Sequence, residues 1–191
     1  MWIAASYWMV LAVNWSVTAQ QEDCIYYRGE TESNGVVPVR AECDWAIDAD
    51  AATRMLADQG IHDQIFDAVA ESTVLSEDEN RRRVYQVQRA RGVADRHVIL
   101  DYTREAIEGG WRFQWVKAAD QSSLRSDAIE VEVTEGLWQI RETEEGLHLE
   151  YELRYLPGGS VPAFLMGWFQ GVGTRLVIDD LRQSLEPYRI R

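Results

Sequence analysis

The sequence of 191 residues predicts an α+β domain in which an antiparallel sheet is followed by one long carboxy-terminal helix. The first observation is the strict alternation in residues 147–155, where every odd position is apolar and every even position is polar. Such alternation is typical of an antiparallel strand with one buried face. The second observation is the helical spacing of apolar residues in residues 161–185. The sequence contains no repeat and no low-complexity segment, so we expect a single folded domain.

A predominantly apolar segment opens the sequence and predicts a signal peptide over residues 1–20, followed by one domain over residues 21–191. The apolar part covers residues 2–13, which suits a signal peptide and is too short to span a bilayer. Val17-Thr18-Ala19 supplies small residues that favour cleavage after Ala19. No Lys or Arg precedes the apolar segment, which leaves an uncleaved anchor or a misassigned start as alternatives. We therefore expect a periplasmic or secreted protein.

The formal net charge of −13 limits the partners of the chain. A nucleic-acid partner requires clustered Lys and Arg. The one basic cluster, residues 81–83, directly follows the acidic residues 77–79. The charge therefore argues against nucleic-acid binding and against stable attachment to an anionic membrane, and leaves transient membrane contact open. We expect a monomer.

Cys24 and Cys43 are the only two cysteines, and both follow the predicted cleavage position. In an oxidising compartment an even pair indicates one disulfide. Two separate thiols, one of them buried in a strand, are the alternative. Two cysteines cannot complete a tetrahedral zinc site without histidines, and His62, His97 and His148 are scattered along the chain. We expect neither a metal nor a cofactor.

The first elements of the domain are a strand and a short helix. Residues 36–45 are rich in Val and contain Pro38, which is typical of an edge or early strand. Residues 48–50 can cap a helix over residues 51–57 that ends near Gly60. Residues 61–66 can add one more helical turn.

A series of strands then follows, because the apolar spacing changes to every second residue. Turns at residues 76–80, 109–110 and 144–146 separate neighbouring strands. The predicted strands cover residues 69–75, 82–88, 98–103, 111–116, 129–133, 137–141 and 147–155.

The long helix begins after Pro157-Gly158-Gly159, where Ser160 can cap it and Pro162 is tolerated in the first turn. We predict one apolar stripe along the helix. It consists of Val161, Leu165, Trp168, Val172 and Leu176, and it continues to Leu181 and Leu185. The helix also contains Gly167, Gly171 and Gly173. Each glycine costs about 1 kcal/mol relative to Ala in a helix, so we expect packing on the sheet to stabilise it.

Three segments resemble the START-like lipid-transfer domains of the helix-grip superfamily, which also contains polyketide cyclases and aromatases. The most specific segment is residues 151–168, in which residues 156–165 have a Pro-Gly-Gly-Ser-aliphatic-Pro order between the last strand and the helix. The second is Val84-Tyr85-Gln86-Val87 followed by Asp95-Arg96-His97-Val98, where His97 replaces the usual Asp. The third is Gly136-Leu137-Trp138. The resemblance covers about residues 24–185.

The resemblance implies a curved antiparallel sheet that wraps around the carboxy-terminal helix and encloses an apolar cavity. The loop of residues 89–95 would correspond to the lid near the cavity mouth. A single hydrophobic small molecule, such as a lipid or sterol, would be the partner.

Aromatic side chains and one arginine are the candidate ligand-binding residues, at strand faces or helix positions expected to point inward. Packing in an ordinary core is the alternative for each ring taken alone, whereas the group suits a pocket for flat apolar molecules. Arg96, if it points inward, must pair with a carboxylate such as Asp101 or Glu71 or meet a polar ligand head; a solvated Arg96 is the alternative. The candidates are Tyr85, Arg96, Trp111, Trp115, Trp138, Tyr151 and Trp168.

The sequence offers little support for catalysis, because no nucleophile, zinc or phosphate motif occurs. His97 and paired acidic residues such as Asp179-Asp180 are the candidate acid–base groups. His97 would be the general base of a cyclase-like enzyme, Asp179-Asp180 is predicted on a solvated face of the helix, and His62 and His148 are predicted at the surface. Three hypotheses follow: a non-catalytic carrier of a hydrophobic ligand, a cyclase- or aromatase-like enzyme acting in the same cavity, and an interaction module with a filled core. We favour the carrier.

Overall fold

The computed structural model describes residues 13–89, 92–122, 128–161 and 172–190. In these residues the elements are strands in one sheet, a pair of short helices before the fourth strand, and a helix after the last strand. The strands are β1 (Ser16–Gln21), β2 (Cys24–Arg28), β3 (Val39–Trp45), β4 (Val69–Glu77), β5 (Arg81–Gln88), β6 (Arg96–Ile107), β7 (Gly110–Lys117), β8 (Ile129–Glu130), β9 (Val133–Thr143) and β10 (Gly146–Leu156). The helices are α1 (Ala49–Ala57), α2 (His62–Ile65) and α3 (Gly173–Leu185).

The sheet is open and curved, with strand order β1-β2-β3-β10-β9-β7-β6-β5-β4. Every neighbouring pair along that path is antiparallel, and only β8 lies off it, parallel to β6. The last strand, β10, returns to the middle of the sheet between β3 and β9. The predicted α+β helix-grip fold is confirmed.

Residues 129–133 are not the single strand that their alternation predicts. The amide of Val131 donates to the carbonyl of His97 on β6 at 3.1 Å, and the amide of Glu132 donates to the carbonyl of Leu156 on β10 at 3.0 Å. The backbone therefore crosses from one strand to another within these residues. This crossing divides the segment into β8 and the start of β9.

Two further strands, β1 and β2, precede the first strand that the sequence predicts. β1 has little buried surface, since Ala19 is its one partly covered residue. The predicted cleavage after Ala19 falls inside β1, and residues 1–12 lie outside the described part of the chain. Within the described residues, no helix combines the length and the apolar character needed to cross a bilayer.

A disulfide joins β2 to β3 at directly opposed positions. Cys24 and Cys43 are register partners with Cα atoms 4.1 Å apart, and both side chains are buried. The bond closes a loop between residues separated by 19 positions in the sequence. It fixes the edge of the sheet on which β1 is added.

The buried face of α3 differs from the predicted apolar stripe. Thr174, Ile178, Leu181 and Leu185 are the buried residues, whereas Val172 and Leu176 are 49% and 44% exposed. The stripe placed Val172 on the buried face because it is apolar and omitted Thr174 because it is polar. Leu176 faces the interior as predicted but is only partly covered. The predicted first part of the helix, with Trp168, Gly167 and Gly171, lies in residues 162–171, outside the described residues.

Candidate functional site

A cavity of about 940 Å³ lies between the inner face of the sheet, the α2 region and α3. Strands β5, β6, β7, β9 and β10 supply its floor, and residues 62–69 supply one wall. Thr174, Leu176 and Val177 of α3 face it from the other side. A space of this volume is the size of a ligand site rather than a packing defect.

Six buried rings form a closed circuit in the wall of this cavity, which we call the aromatic circuit. Tyr102 and Trp115 have ring centroids 5.9 Å apart, and Trp115 is 6.1 Å from Tyr151. Tyr151 is 4.2 Å from Trp138, which is stacked on Phe66 at 6.1 Å. His62 closes the circuit, edge-on to Phe66 at 5.3 Å and to Tyr102 at 6.2 Å. Such centroid distances are typical of favourable aromatic pairs.

Strand register explains why four of these rings meet. Tyr102 on β6 is opposite Trp115 on β7, and Trp138 on β9 is opposite Tyr151 on β10. Directly opposed side chains point to the same face of a sheet. The remaining two rings, His62 and Phe66, come from α2 and the residue that ends it.

Most polar groups in the cavity wall have partners within the protein. Trp115 Nε1 donates to Thr134 Oγ1 at 3.3 Å, and the Tyr155 hydroxyl donates to Gln88 Oε1 at 2.9 Å. Gln86 Nε2 donates to Ser72 Oγ at 3.2 Å. Two residues of the wall each have a buried polar atom without a hydrogen-bond partner among the described residues: Nε2 of His62 and Oγ1 of Thr174.

Burial keeps His62 and three tyrosines of the cavity wall neutral. It lowers the pKa of His62 to about 4, and it raises the pKa of Tyr102, Tyr151 and Tyr155 above the usual range of a phenol. Desolvation also raises the pKa of Asp180, whose Oδ2 accepts a hydrogen bond from the amide of Asp67 at 3.0 Å. The aromatic circuit is therefore uncharged at neutral pH.

Three of the predicted aromatic residues, Trp115, Trp138 and Tyr151, line the cavity. Trp111 lies at the far end of β7 outside the cavity wall, with the guanidinium of Arg104 3.7 Å from its ring centroid. Trp168 lies outside the described residues.

Tyr85 does not line the cavity, which corrects the prediction for this residue. Neighbouring side chains on a strand point to opposite faces, and Gln86 lines the cavity. Tyr85 instead packs in a second buried cluster with Val87, Ile99 and Ala118, behind the sheet. Residues on both faces of β5 are buried, so the sequence of this strand does not alternate clearly between apolar and polar residues and cannot show which face points to the cavity.

Arg96 is buried, with 1% of its surface exposed, and lies on the same face of β6 as Leu100 and Tyr102. The expected partner Asp101 instead binds Arg83 on the opposite face, at 2.7 and 3.0 Å. Arg96 Nη1 donates to the carbonyl of Ala94.

No hydrogen-bond partner for Arg96 Nε and Nη2 occurs in the described part of the chain. Arg96 is the register partner of Gln88, which lines the cavity. The guanidinium of Arg96 is therefore buried beside the cavity, as the first of the two expectations for this residue requires, and is not solvated.

Neither His97 nor His62 lies where the sequence predicts it, although both are buried. His97 points to the second cluster, with its ring 6.4 Å from that of Tyr85, and is not part of the cavity wall. His62, predicted at the surface, is 3% exposed and belongs to the aromatic circuit. Among the described residues, no group of three His, Cys, Asp or Glu side chains could hold a metal ion.

The loop of residues 89–95 begins at the cavity, since Arg89 lines it. Residues 90 and 91 lie outside the described part of the chain. Its expected role as a lid therefore stays a prediction.

The structure is similar to several solved lipid-transfer proteins. A STAR-related lipid transfer protein from Xanthomonas axonopodis is 22% identical, with a TM-score of 0.81 over 90% of this chain and 98% of that chain. Human StAR-related lipid transfer protein 5 is 8% identical, with a TM-score of 0.82 over 92% of this chain and 88% of that chain.

This chain has the START fold. The Zhui aromatase/cyclase from Streptomyces sp. R1128 is also similar, at 15% identity and a TM-score of 0.58 over 79% of this chain and 92% of that chain. No protein-family model matches the sequence, and neither does any curated protein.

Three rings of the aromatic circuit in this START fold, His62, Phe66 and Tyr102, are not among the predicted ligand-binding residues. Tyr102 follows Val98 and Leu100 at two-residue spacing on β6, so the alternation could have identified it. His62 and Phe66 lie in a segment too short to show periodicity. Only the packing of α2 over the sheet brings them to the cavity.

Proposed function

We propose that this protein binds one hydrophobic small molecule in the cavity and carries it without changing it chemically. The observation that supports this most directly is the cavity of about 940 Å³ with six aromatic rings in its wall. Aromatic walls with a few polar groups are typical of sites for small apolar ligands. The START fold supports the same class of ligand, since the similar Xanthomonas and human proteins are described as lipid transfer proteins.

The chemistry of the cavity favours a carrier over an enzyme. General acid–base catalysis needs a group whose pKa lies near the working pH. His62 has a pKa of about 4, and burial raises the pKa of each of the three cavity tyrosines. These groups therefore do not exchange protons readily near neutral pH.

A cyclase- or aromatase-like enzyme is the second candidate, supported by the structural likeness to the Zhui aromatase/cyclase. The sequence offered His97 as its general base, and that side chain faces the second cluster instead. An enzyme would then have to use another group of the cavity wall, such as Asp180, His62 or a tyrosine hydroxyl. Recovery of the bound molecule unchanged after incubation supports the carrier, whereas a cyclised product supports the enzyme.

Arg96 would lie near the polar end of the ligand in this proposal. A buried guanidinium without an ion-pair partner is costly, and an anionic or strongly polar ligand group would offset that cost. The half-exposed Leu176 lines the cavity and could contact a membrane transiently during loading. The net charge of −13 opposes lasting attachment to anionic lipids. We propose a monomer.

We further propose that the protein is exported to the periplasm or secreted. The apolar first segment and the small residues before Gln20 support export. The disulfide between Cys24 and Cys43 is also consistent with an oxidising compartment.

Native mass spectrometry of protein purified from its own host tests the carrier, with the extracted ligand then identified. A matched pair of variants relates the ligand to the cavity. Ala68→Trp adds a large ring in the cavity wall, whereas Ala106→Trp adds the same ring at an exposed position of β6 away from it. We expect Ala68→Trp protein to lose the bound ligand and Ala106→Trp protein to keep it. Equal ligand content in both variants would contradict the proposal.

A further inference from the structure

The three tyrosine hydroxyls of the cavity wall differ in their hydrogen bonds. The hydroxyl of Tyr102 hydrogen-bonds the side-chain amide of Gln86, and that of Tyr155 donates to Gln88 Oε1 at 2.9 Å. For Tyr151, no group in the described part of the chain forms a hydrogen bond with the hydroxyl. Tyr151 therefore has an unused polar group on the wall.

The hydroxyl of Tyr151 is also open to the cavity. Nε2 of His62 and Oγ1 of Thr174 lack partners too, but the protein covers both atoms completely, which is not the case for the hydroxyl oxygen of Tyr151. The side chain as a whole is 4% exposed and lines the cavity. The accessible surface of its hydroxyl therefore faces whatever molecule fills the cavity.

The phenol of Tyr151 keeps its proton and can donate it in a hydrogen bond. Burial raises the pKa of Tyr151, and the neighbouring Tyr102 and Tyr155 have smaller effects in the same direction. The O–H group turns about its C–O bond, so the donor does not depend on a choice of tautomer. An apolar ligand would leave this group without the hydrogen bond that water otherwise provides. A ligand with an acceptor at this position would restore it.

The surroundings of Tyr151 favour an uncharged acceptor. Among the described residues, the charges or dipoles that act on its pKa belong to Tyr102 and Tyr155, and no Lys or Arg contributes. Arg96 acts instead on Tyr155, which lies four residues further along β10, about 13 Å by strand geometry. An ionised carboxylate or phosphate beside Tyr151 would therefore be buried without a counter-charge, which is costly. A carbonyl oxygen accepts from the phenol without that cost.

We propose that the hydroxyl of Tyr151 donates a hydrogen bond to an uncharged carbonyl oxygen of the bound ligand, whose apolar body lies against the aromatic circuit. The inference rests on the proposed function, because it assigns a chemical class to the ligand of that same cavity. Trp138 and Trp115, with ring centroids 4.2 and 6.1 Å from that of Tyr151, provide the apolar surroundings of the phenol. The ligand class is thus an apolar ketone, aldehyde or ester whose carbonyl lies within the aromatic part of the cavity.

Two probes of nearly equal shape, 1-acetylpyrene and 1-ethylpyrene, test this inference on delipidated full-length protein, because only the first has a carbonyl oxygen. Tyr151→Phe removes the hydroxyl and keeps the ring. We expect this variant to bind 1-acetylpyrene about fivefold more weakly than the unaltered protein does, the value of one hydrogen bond, and to bind 1-ethylpyrene with unchanged affinity. Quenching of tryptophan emission measures both affinities. Tyr27→Phe is the matched control and should change neither, because its hydroxyl donates to Glu42 Oε2 at 2.9 Å outside the cavity wall.

Two further measurements distinguish a binding role from a structural one. Since the hydroxyl of Tyr151 has no partner among the described residues, we expect empty Tyr151→Phe protein to be as stable in urea as the unaltered protein. Infrared spectroscopy of 1-acetylpyrene, isotope-labelled at its carbonyl carbon, should show a lower C=O stretching frequency in the unaltered protein than in cyclohexane. This spectrum needs no variant, so misfolding of Tyr151→Phe protein does not prevent the test.

The outcomes separate the two proposals. If neither probe binds the unaltered protein, the proposed function and this inference both fail. If both probes bind and Tyr151→Phe changes both affinities by the same factor, or changes neither, the cavity is a ligand site and the role of Tyr151 is wrong. A C=O frequency in the unaltered protein equal to that in cyclohexane also contradicts the inference while leaving the carrier function intact.

Discussion

The indole of Trp115 occupies the space that a side chain at Gly136 would need. A Cβ built on Gly136 would lie 2.4 Å from Cζ2 of Trp115 and 2.3 Å from the carbonyl oxygen of Glu152. Gly136 is the register partner of Trp115 on one side and of Leu153 on the other. Because Gly136 has no side chain, the indole of Trp115 can lie across β9 and contact Tyr151, whose ring centroid is 6.1 Å away.

Gly136→Ala should destabilise the protein by roughly 1–3 kcal/mol, because the backbone of β10 cannot yield and Trp115 must move. We expect a lower midpoint in urea and a shifted tryptophan emission spectrum. Gly60→Ala is the matched control, since the nearest atoms to its Cβ are 3.3 Å away on the flexible Asp58 side chain and 3.7 Å away on Val74. We expect the control to stay within about 0.5 kcal/mol of the unaltered protein. Similar losses in both variants would refute the explanation.

Alternation in the sequence predicted the cavity floor well where one face of a strand is buried. The alternation in β10 places Tyr151 inward, and the structure has it there beside Trp138. On β5 the same method assigned Tyr85 to the wrong face, because Val84, Tyr85, Gln86 and Val87 are all buried. A strand that is covered on both sides has no polar face to reveal its orientation.

The part of the site that the sequence could not reveal depends on tertiary packing. His62 belongs to a four-residue helix. Its ring is buried because it contacts Phe66, at the end of that helix, and Tyr102, on strand β6. Histidine is intermediate between the buried and the exposed residue types, so its identity alone does not predict an interior position. The spacing of apolar residues along the sequence cannot show which short helix packs over a cavity.

The disulfide should contribute about 3 kcal/mol of stability, the value that chain entropy predicts for a loop of this length. Cys24→Ala with Cys43→Ala should therefore lower the free energy of unfolding by that amount in urea titrations. Thiol titration of denatured, unreduced protein from the native compartment should find no free thiol. Two free thiols there would show that the protein matures in a reducing environment, contrary to the proposed export.

Export with cleavage after Ala19 should leave a mature protein that begins at Gln20. This cleavage removes most of β1, but β1 buries so little surface that we expect the domain to remain folded. Amino-terminal sequencing of protein from the host checks the start, and circular dichroism of a chain beginning at Gln20 checks the fold. An intact amino terminus at Met1 or Trp2 on cytoplasmic protein would overturn the proposal.

Acid should destabilise the protein partly through His62. Its folded-state pKa of about 4 is below the ordinary value of 6.5, so the unfolded chain binds a proton more readily than the folded one. Stability from the neutral ring is complete above pH 6.5 and falls as the pH approaches 4, by roughly 2 kcal/mol at pH 5.

Desolvation is the main cause of this shift, and the nearby charges of Asp58 and Arg82 have smaller, opposing effects. His62→Gln should therefore reduce the loss of stability between pH 7 and pH 5 by about that amount. Urea titrations of both proteins at the two pH values measure the difference. Equal losses in the two proteins would mean that His62 does not titrate as described.

Arg96→Met should separate the stability of the empty protein from its affinity for ligand. In the described structure the Arg96 guanidinium is buried, with Nη1 on the Ala94 carbonyl and two further nitrogens without partners. A buried charge that lacks an ion pair does not stabilise a fold, and an apolar side chain of similar size often replaces it without loss.

We therefore expect delipidated Arg96→Met protein to be as stable as the unaltered protein, or more stable by up to about 2 kcal/mol. If a polar ligand head meets Arg96, the same variant should bind the ligand at least about tenfold more weakly and retain less of it during purification. Arg83→Met is the matched control, because Arg83 pairs with Asp101 on the opposite face of the sheet. Thermal unfolding of the delipidated proteins and native mass spectrometry of the loaded ones give the two readouts. Unchanged ligand content in Arg96→Met protein would remove Arg96 from the binding site, whereas a large loss of stability without ligand would assign it a structural role.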